Sequence, residues 1–326
     1  MRYVTCEGAG AAGVLHLAAG PDPRPRRDEV VIAVEAAGVS RADVLQRRGH
    51  YPPPPGASPV LGLGVAGSVA ETGSGVTRWR AGDRVCALCN GGGYAERVAV
   101  PQGQVLPMPD GWSAVEAATL PENAFTVYDN LFTRARLRPR ETLLVHGGSG
   151  GIGSTAIMFA RALGSTVVAT AGSDAKVAVC LRLGAHDAIN YRTQDFVTAS
   201  LRITQGRGVN VVLDVVGGEY VARDLQCLAP DGRIACIATQ GGRAAEIDLG
   251  ALLRKRATIL GSSLRPRTSA QKAAIARLLS ARIWPLLPQR TAIVPIVDST
   301  YPLELAAEAH ARLESGETVG TVVLTT

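Results

Sequence analysis

The chain has 326 residues, of which 46% are hydrophobic and 19% are charged, and its formal net charge is +6. This length predicts two domains, and this composition is typical of a soluble globular protein with a real core. No apolar run approaches the roughly 18 residues of a membrane helix, and the first residues lack an apolar signal region, so we expect a cytoplasmic protein. Scattered arginines and only 4% aromatic residues argue against nucleic acid as a partner.

The first third of the sequence is predicted to be rich in β-strands. Short β-branched runs occupy 29–39, 65–73, 83–89 and 94–100, and Gly, Pro and Asp separate them. The segment YPPPPGASP (51–59) is too rich in proline for a helix and is expected to be a rigid loop. This spacing of strands predicts a compact, barrel-like β unit.

The six cysteines are dispersed, and only Cys86 and Cys89 form a C-x-x-C pair. A structural zinc ion needs four ligands and a catalytic one at least three. No second such pair exists, and the five histidines are far apart in the sequence. Because CALC continues the strand pattern before it, we expect buried thiols in a strand rather than a metal or redox site.

A different pattern begins near residue 110, where Ser113 is a candidate helix cap and strands then alternate with helices. The expected elements are a strand at 142–146, a helix at 151–163, a strand at 166–171, a helix at 174–184, and strands at 187–190, 209–216 and 232–238. This alternation predicts βαβ units and a parallel sheet. The tail is expected to hold a helix at 269–281, a strand at 291–298, a helix at 302–315 and a strand at 320–326.

The segment VHGGSGGIGSTA (145–156) holds five glycines within seven positions. It matches G-x-G-x-x-G between a buried-type strand and an amphipathic helix. Glycine suits this place because a tight turn needs positive φ and because a pyrophosphate must approach backbone N–H groups without a Cβ in the way. We therefore predict dinucleotide binding; the alternative is a strand–helix turn that merely tolerates glycine.

The residues after the next strand favour NADPH over NADH. An acidic residue about 20 positions beyond the first glycine would bind the ribose 2′-hydroxyl and repel a 2′-phosphate. That place falls on Ala171, Gly172 and Ser173, which carry no carboxylate, and Lys176 follows one helical turn later. The charge of Asp174 opposes this interpretation unless that side chain caps the helix. The alternative for Lys176 is a solvated lysine on a helix.

Many stretches, taken in order, resemble the zinc-free NADPH:quinone oxidoreductases of the medium-chain dehydrogenase/reductase superfamily, most of all the tumour-suppressor-inducible subtype. They are AAGVSRADVLQRRGHYPPPPG (36–56), LGLGVAG (61–67), GDRVCAL (82–88), GGGYAERVAVP (91–101), VHGGSGGIG (145–153), TAGSDAK (170–176), LGAHDAINY (183–191), GVNVVLDVVGG (208–218) and VGTVVL (319–324). The resemblance implies an α/β protein with a GroES-like β-barrel catalytic domain at 1–121 and 263–326. A Rossmann domain with a doubly wound parallel sheet would occupy 122–262.

The same resemblance implies the site residues. The pyrophosphate is expected at Ser149, Gly150, Gly151, Ile152 and Gly153, the 2′-phosphate at Gly172, Ser173, Lys176 and Tyr191, and other parts of the cofactor at Val216, Gly217, Thr239, Ser263, Leu264 and Arg265. Ser40 and Tyr51 would line the quinone pocket and Thr126 would lie near the nicotinamide, which makes these three the candidate catalytic residues. For Tyr51 the alternative is packing against the neighbouring prolines.

Three positions depart from the family pattern. Gly64 stands where the family usually has glutamate, Ser40 where many relatives have asparagine, and Thr321 where the tail often has lysine. The first two concern the substrate side and put the identity of the substrate in doubt. The zinc ligands of other relatives are missing, so no metal is expected.

The resemblance implies NADPH-dependent reduction of a quinone or related conjugated acceptor, by hydride or single-electron transfer, in a cleft between the domains. An alternative is reduction of an activated alkene, an enone or enoyl thioester, for which Arg47 and Arg48 could form a basic entrance. A second alternative is an NADPH-retaining RNA-binding or structural protein, in which RNA affinity would fall steeply with salt.

The predicted parallel sheet also suggests an assembly. The segments 232–238 and 257–263 could form its edge, and exposed edges need a partner or protection. The resemblance implies that these edges pair to form a homodimer.

Overall fold

The computed structural model describes residues 1–326, which divide into two compact units. The first, here called the β unit, comprises Met1–Phe125, Leu264–Pro288 and Pro295–Thr326. The second, here called the Rossmann unit, comprises Thr126–Ser263 and Gln289–Val294. The chain therefore leaves the β unit twice, for the long segment Thr126–Ser263 and again for the short segment Gln289–Val294.

Fifteen strands and ten α-helices form the two units. The strands are β1 (Arg2–Cys6), β2 (Leu15–Ala19), β3 (Glu29–Val39), β4 (Gly64–Thr72), β5 (Arg84–Leu88), β6 (Arg97–Pro101), β7 (Val105–Pro107), β8 (Thr142–Val145), β9 (Thr166–Ala171), β10 (Asp187–Asn190), β11 (Val209–Asp214), β12 (Leu228–Cys236), β13 (Thr258–Gly261), β14 (Val297–Pro302) and β15 (Thr321–Thr325). The helices are α1 (Arg41–Arg47), α2 (Ala114–Ala117), α3 (Pro121–Val127), α4 (Gly151–Ala162), α5 (Asp174–Arg182), α6 (Phe196–Ile203), α7 (Glu219–Cys227), α8 (Leu249–Lys255), α9 (Ser269–Arg282) and α10 (Ala306–Glu314).

The β unit is built on a seven-stranded sheet in the order β14-β15-β3-β4-β5-β7, with β6 paired to β3. All pairs are antiparallel except β14 and β15. Strand β3 is central, and its residues Val30, Val31 and Ile32 are fully buried. Because successive side chains point to opposite faces of a strand, burial of all three shows that β3 is covered on both faces.

The Rossmann unit holds a six-stranded parallel sheet in the order β10-β9-β8-β11-β12-β13. Numbered from β8, this order is the doubly wound arrangement of dinucleotide-binding folds, in which strand order reverses between the first and fourth strands. The buried side chains of Leu144, Val168, Val212 and Ile234 form its core. The α/β fold predicted from the sequence is confirmed.

Most predicted strands and helices are present within a few residues of their expected bounds. Ser113 caps α2, since its Oγ accepts the N–H of Glu116 at 3.2 Å. The expected strand at 291–298 is wrong, because a strand begins only at Val297. Pro295 interrupts the segment and has no N–H for a strand ladder. None of the helices is long and apolar enough to cross a membrane.

Candidate cofactor and substrate site

A tight glycine turn joins β8 to α4 in the Rossmann unit. Gly147 has φ of +67°, which favours glycine, and its carbonyl accepts the N–H of Gly150 at 3.1 Å. The turn is tied to β9, because the N–H of Gly148 donates to the carbonyl of Thr170 at 2.8 Å. Helix α4 then begins at Gly151 without a side-chain cap, so no capping side chain accepts the N–H groups of its first turn.

The glycines of this turn have different neighbours. A Cβ on Gly153 would overlap the Gly147 carbonyl, and one on Gly148 would lie 2.8 Å from the Ala169 Cβ. A Cβ on Gly150 would meet nothing closer than 3.7 Å. The fold of the turn therefore requires glycine at positions 148 and 153. At position 150 the fold does not require glycine, and the missing side chain leaves open space beside the positive end of a helix. Open space at a helix N-terminus suits an anionic group.

The tip of β9 carries the residues predicted for the 2′-phosphate. Ser173 caps α5, its Oγ accepting the Lys176 N–H at 3.3 Å. Tyr191 covers Gly172, since a Cβ there would lie 2.6 Å from the Tyr191 hydroxyl. The half-buried Lys176 lies in the first turn of α5.

The helix cap proposed for Asp174 is wrong, because Ser173 occupies that role. The Asp174 Oδ1 instead accepts the side-chain N–H of Asn190 at 2.7 Å. The end of β9 thus brings together a hydroxyl, a cation and a tyrosine, and Asp174 is held by an amide at the end of β10.

The loops after β11 and β12 form the next part of the candidate site. Val216 and Gly217 donate backbone N–H groups to the Asp214 carboxylate at 2.6 and 2.9 Å. Gly217, with φ of +68°, bridges to Gly242 in the loop that contains the exposed Thr239. The fully buried Asp214 therefore shapes this loop, a role that the sequence pattern did not single out.

A buried polar pair supports the glycine turn from inside. His146 lies directly before the turn; its Nε2 is 2.8 Å from Asp224 Oδ1, and its Nδ1 is 3.1 Å from Thr170 Oγ1. Burial raises the pKa of Asp224, and its second oxygen has no hydrogen-bond partner. Sequence analysis missed this pair because its members are 78 residues apart.

The remaining predicted cofactor residues are divided between the units. Thr126 lies in α3, and its carbonyl accepts the side-chain N–H of Asn130 at 2.9 Å, just where the helix continues as a π-helix. Ser263 is exposed at the end of the Rossmann unit, whereas Leu264 and Arg265 belong to the β unit. Within the Rossmann unit, most predicted residues follow the carboxyl ends of β8, β9, β11 and β12, whereas Tyr191 follows β10, Ser263 follows β13 and Thr126 lies in α3.

In the β unit, Ser40 forms the cap of α1. Its hydroxyl donates to Asp43 Oδ2 at 2.8 Å, while the other Asp43 oxygen accepts the Gly62 N–H at 2.9 Å. Burial raises the pKa of Asp43, which is 1% exposed. The Ser40 hydroxyl is thus committed to the helix start.

Tyr51 lies beside a buried arginine. The Arg265 guanidinium donates to the Tyr51 carbonyl at 3.0 Å and to Gln46 Oε1 at 2.6 Å, and it lies 5.3 Å from the centre of the Tyr51 ring. Lys272 lies nearby, 1% exposed, donating to Asn90 Oδ1 and to the Arg265 carbonyl, and burial lowers its pKa to about 8. Arg265 thus fixes the loop that carries Tyr51.

The basic entrance expected from Arg47 and Arg48 is wrong for Arg47. That side chain is 1% exposed and donates both to Glu314 and to His310. The surroundings of two positions that depart from the family pattern do not explain the departures. At Gly64 a Cβ would lie 3.4 Å from the Glu122 backbone nitrogen, and Thr321 accepts a hydrogen bond from the Asn123 side chain at 3.1 Å.

The donor set does not suit a metal ion. Cys86 lies in β5 and Cys89 directly after it, both buried as expected, and burial raises the pKa of each thiol to about 12. A thiol needs to lose its proton to bind zinc. The chain holds no group of three or more His, Cys, Asp or Glu side chains that could coordinate a metal.

Two family models match the chain. "Alcohol dehydrogenase GroES-like domain" matches residues 26–110, and "Zinc-binding dehydrogenase" matches residues 151–280. These ranges fall largely in the β unit and the Rossmann unit, respectively.

Individual proteins match over nearly the full length. The quinone oxidoreductase of Rattus norvegicus is 32% identical over 289 residues, which cover 88% of this chain and 86% of that protein. The structure of Escherichia coli quinone oxidoreductase complexed with NADPH is 29% identical, with a TM-score of 0.84 and complete coverage of both chains. The CurK enoyl reductase structure is 26% identical, with a TM-score of 0.86, and covers 99% of this chain and 98% of that one.

Proposed function

The chain belongs to the quinone oxidoreductase family of the medium-chain dehydrogenase/reductase superfamily, and from this premise we propose that it is a zinc-independent, NADPH-dependent reductase of quinones. The observation that carries the proposal is the glycine turn, where Gly150 leaves space beside an uncapped helix start. The absence of a carboxylate from residues 171–173 favours a cofactor with a 2′-phosphate.

When bound, NADPH supplies a hydride, and the protein supplies orientation and exclusion of water. The backbone at 149–153 would bind the pyrophosphate, and Ser173 and Lys176 the 2′-phosphate. A quinone is already electrophilic and its reduced oxygens are weakly basic, so it needs neither a strong acid nor a Lewis acid. Tyr51, held beside Arg265, or a water molecule would then donate the proton.

The first test compares NADPH and NADH oxidation with phenanthrenequinone and benzoquinone as acceptors, in the native protein and in Lys176→Ala. Loss of a charge-assisted hydrogen bond should raise the KM for NADPH roughly 10- to 100-fold and leave that for NADH nearly unchanged. Arg182→Ala removes an exposed cation from the other end of the same helix and should change neither value. Equal preference for both cofactors in the native protein would contradict the proposal.

Reduction of an activated alkene is the second candidate function. The similarity to an enoyl reductase favours it. Here the hydride would reach a β-carbon rather than a quinone ring. If the protein reduced an enone or enoyl thioester and neither quinone, NADPH would remain the cofactor and the substrate would be an activated alkene.

We further propose that the protein forms a homodimer through β13, the edge strand of the Rossmann sheet. Helix α8, before this strand, has no buried residue, and Leu249 and Leu253 are 62% and 75% exposed. Ile259 in β13 is also exposed. An exposed edge strand beside exposed leucines is expected to be covered by a partner.

Light scattering at micromolar concentration tests this assembly. The native protein should have twice the monomer mass, and Leu249→Glu/Leu253→Glu should shift the mass toward monomer. Leu17→Glu/Leu278→Glu, which changes two exposed leucines of the β unit, should leave the mass unchanged. A native protein of monomer mass would reject the dimer.

A further inference from the structure

The Rossmann unit contains a cavity at the amino ends of its strands, whereas the glycine turn lies at their carboxyl ends. It has a volume of about 400 Å³, within the range of small-molecule sites. Glu141 directly before β8, Asn210 at the start of β11 and Thr258 at the start of β13 line it. Because the strands are parallel, these amino ends are separated from the glycine turn by the length of the sheet.

The cavity carries an excess of positive charge. Its two carboxylates are already paired: Glu141 with Arg233 at 2.8 and 2.9 Å, and Asp231 with Arg256 through two bonds of 2.7 Å. Three further arginines line the cavity and form no ion pair, although the charge of Arg138 also acts on Glu141, which Arg233 already pairs. They are Arg134, Arg136 and Arg138.

These three arginines leave many donors unused. Arg134 donates one N–H to the Gly261 carbonyl at 2.9 Å. The guanidinium groups of Arg136 and Arg138 make no hydrogen bond within the protein. Like charges gathered around a concave surface raise its positive potential, which attracts anions.

The backbone around the cavity is also unusual. Six non-glycine residues of the chain have positive φ, and four of them lie in or beside this cavity. They are Arg136, Arg140, Asp231 and Arg256. Residues in this conformation persist where the surrounding structure holds them, and they are enriched at binding sites. Arg233 supplies part of that support by donating to the carbonyls of Ala135 and Arg136.

We infer that this cavity binds a small polyphosphate, either inorganic or carried by a nucleotide. The planar guanidinium group matches phosphate oxygens with paired hydrogen bonds, and the arginines of this cavity outnumber its two carboxylates, so positive charge remains for a polyanion. Because the cavity and the glycine turn lie at opposite ends of the strands, this ligand and NADPH can bind together. The inference does not depend on the reaction proposed above.

Calorimetric titration of the native protein with inorganic tripolyphosphate and with ATP, in the presence of excess NADPH, tests the site. NADPH keeps either probe from the glycine turn. Arg136→Gln/Arg138→Gln should weaken binding at least about tenfold, since two charge-assisted contacts are lost. Arg24→Gln/Arg27→Gln removes two exposed arginines from the β unit and should leave the affinity within about twofold.

The probes also distinguish the two sources of the phosphates. Equal affinity for tripolyphosphate and ATP would show that the protein recognises the phosphate chain alone. Tighter binding of ATP would show that it also contacts the nucleoside. Arg138→Gln alone, at a residue with ordinary φ, should give a smaller loss in the same direction if the double variant unfolds. Absence of binding to the native protein, or equal weakening in the double variant and its control, would overturn the inference.

Discussion

Gly150 and Gly153 stand three positions apart at the start of α4, yet they are glycine for different reasons. At Gly153 the reason is internal, because helix α4 approaches the Gly147 carbonyl too closely for a Cβ. At Gly150 the protein itself imposes no such limit, since φ is −79° and the nearest atom to a Cβ would be 3.7 Å away. The two positions therefore separate folding of the turn from access of a ligand.

Alanine at each position should separate these effects. Gly153→Ala should lower the free energy of unfolding by about 1–3 kcal/mol through overpacking, and should weaken NADPH binding as the turn moves. Gly150→Ala should leave stability within about 0.5 kcal/mol and still weaken NADPH binding, because its methyl group fills the ligand's space. Thermal unfolding and cofactor titration measure both quantities. An unchanged affinity of Gly150→Ala for NADPH would show that the pyrophosphate does not bind beside Gly150.

Individual site residues were predictable from sequence where a local motif marks them. The turn that contains Gly150 is such a motif, because a few neighbouring residues fix it, whereas the cap of α5 was expected at Asp174 and is formed by Ser173. Asp214 and the His146–Asp224 pair were not predictable, because their partners come from distant segments and a buried aspartate has no sequence pattern of its own. The change of unit between Ser263 and Leu264 lies one residue from the boundary that the family resemblance implied.

Among the elements, α1 and α10 are joined by one buried cation. Arg47 at the end of α1 makes a two-bond ion pair with Glu314 of α10, at 2.8 and 2.9 Å. It also lies 3.1 Å from His310 Nδ1 and donates to the Gly10 carbonyl at 3.1 Å. Arg48 pairs with the same carboxylate, but its side chain is 52% exposed.

The two arginines should therefore differ strongly in their effect. Arg47→Ala should lower the free energy of unfolding of the β unit by about 3–5 kcal/mol, since it empties a buried site and leaves polar groups unpaired. Arg48→Ala should cost less than about 1 kcal/mol, because solvent screens an exposed pair. Denaturation followed by tryptophan fluorescence reports this unit, which contains Trp79, Trp112 and Trp284, the three tryptophans of the chain. Similar losses of unfolding free energy in Arg47→Ala and Arg48→Ala would contradict the different roles assigned to the two arginines.

Element prediction succeeded where periodicity was strong and failed where tertiary contacts decide. Strands β3, β9 and β10 have the bounds expected from sequence. Strands β1 and β2 escaped prediction because they are short and partly exposed, and they are defined mainly by pairing with each other. Helices α6 and α7 were missed because the strands on either side gave the clearer pattern.

At the scale of the molecule, the stability of the β unit is expected to depend on pH through His310. Burial, followed by the nearby charge of Arg47, lowers the pKa of His310 to about 3, although Glu314 opposes the shift. In the unfolded chain this group takes up a proton below about pH 6.5. As the pH falls from there toward 3, the unfolded state binds a proton that the folded state does not, so stability decreases.

Between pH 6.5 and 5, this difference predicts a fall of up to about 1.4 kcal/mol per pH unit in the free energy of unfolding. Tryptophan fluorescence during urea unfolding at several pH values measures it. His310→Gln should flatten the slope, whatever its effect on absolute stability. His16→Gln, at a side chain that is 50% exposed, should keep the native slope. A slope that survives in His310→Gln would assign the dependence to other groups.

The order of strands in the β unit has a consequence for synthesis on the ribosome. Strand β15 pairs with residues 36–39 of β3, so nearly 300 residues emerge before that edge of β3 is covered. The uninterrupted segment Thr126–Ser263 is complete in the nascent chain much earlier. The Rossmann unit can thus fold while β3 still presents an unpaired, apolar edge. The interval between these two events is when the newly made chain is most exposed to aggregation and has the greatest need of a chaperone.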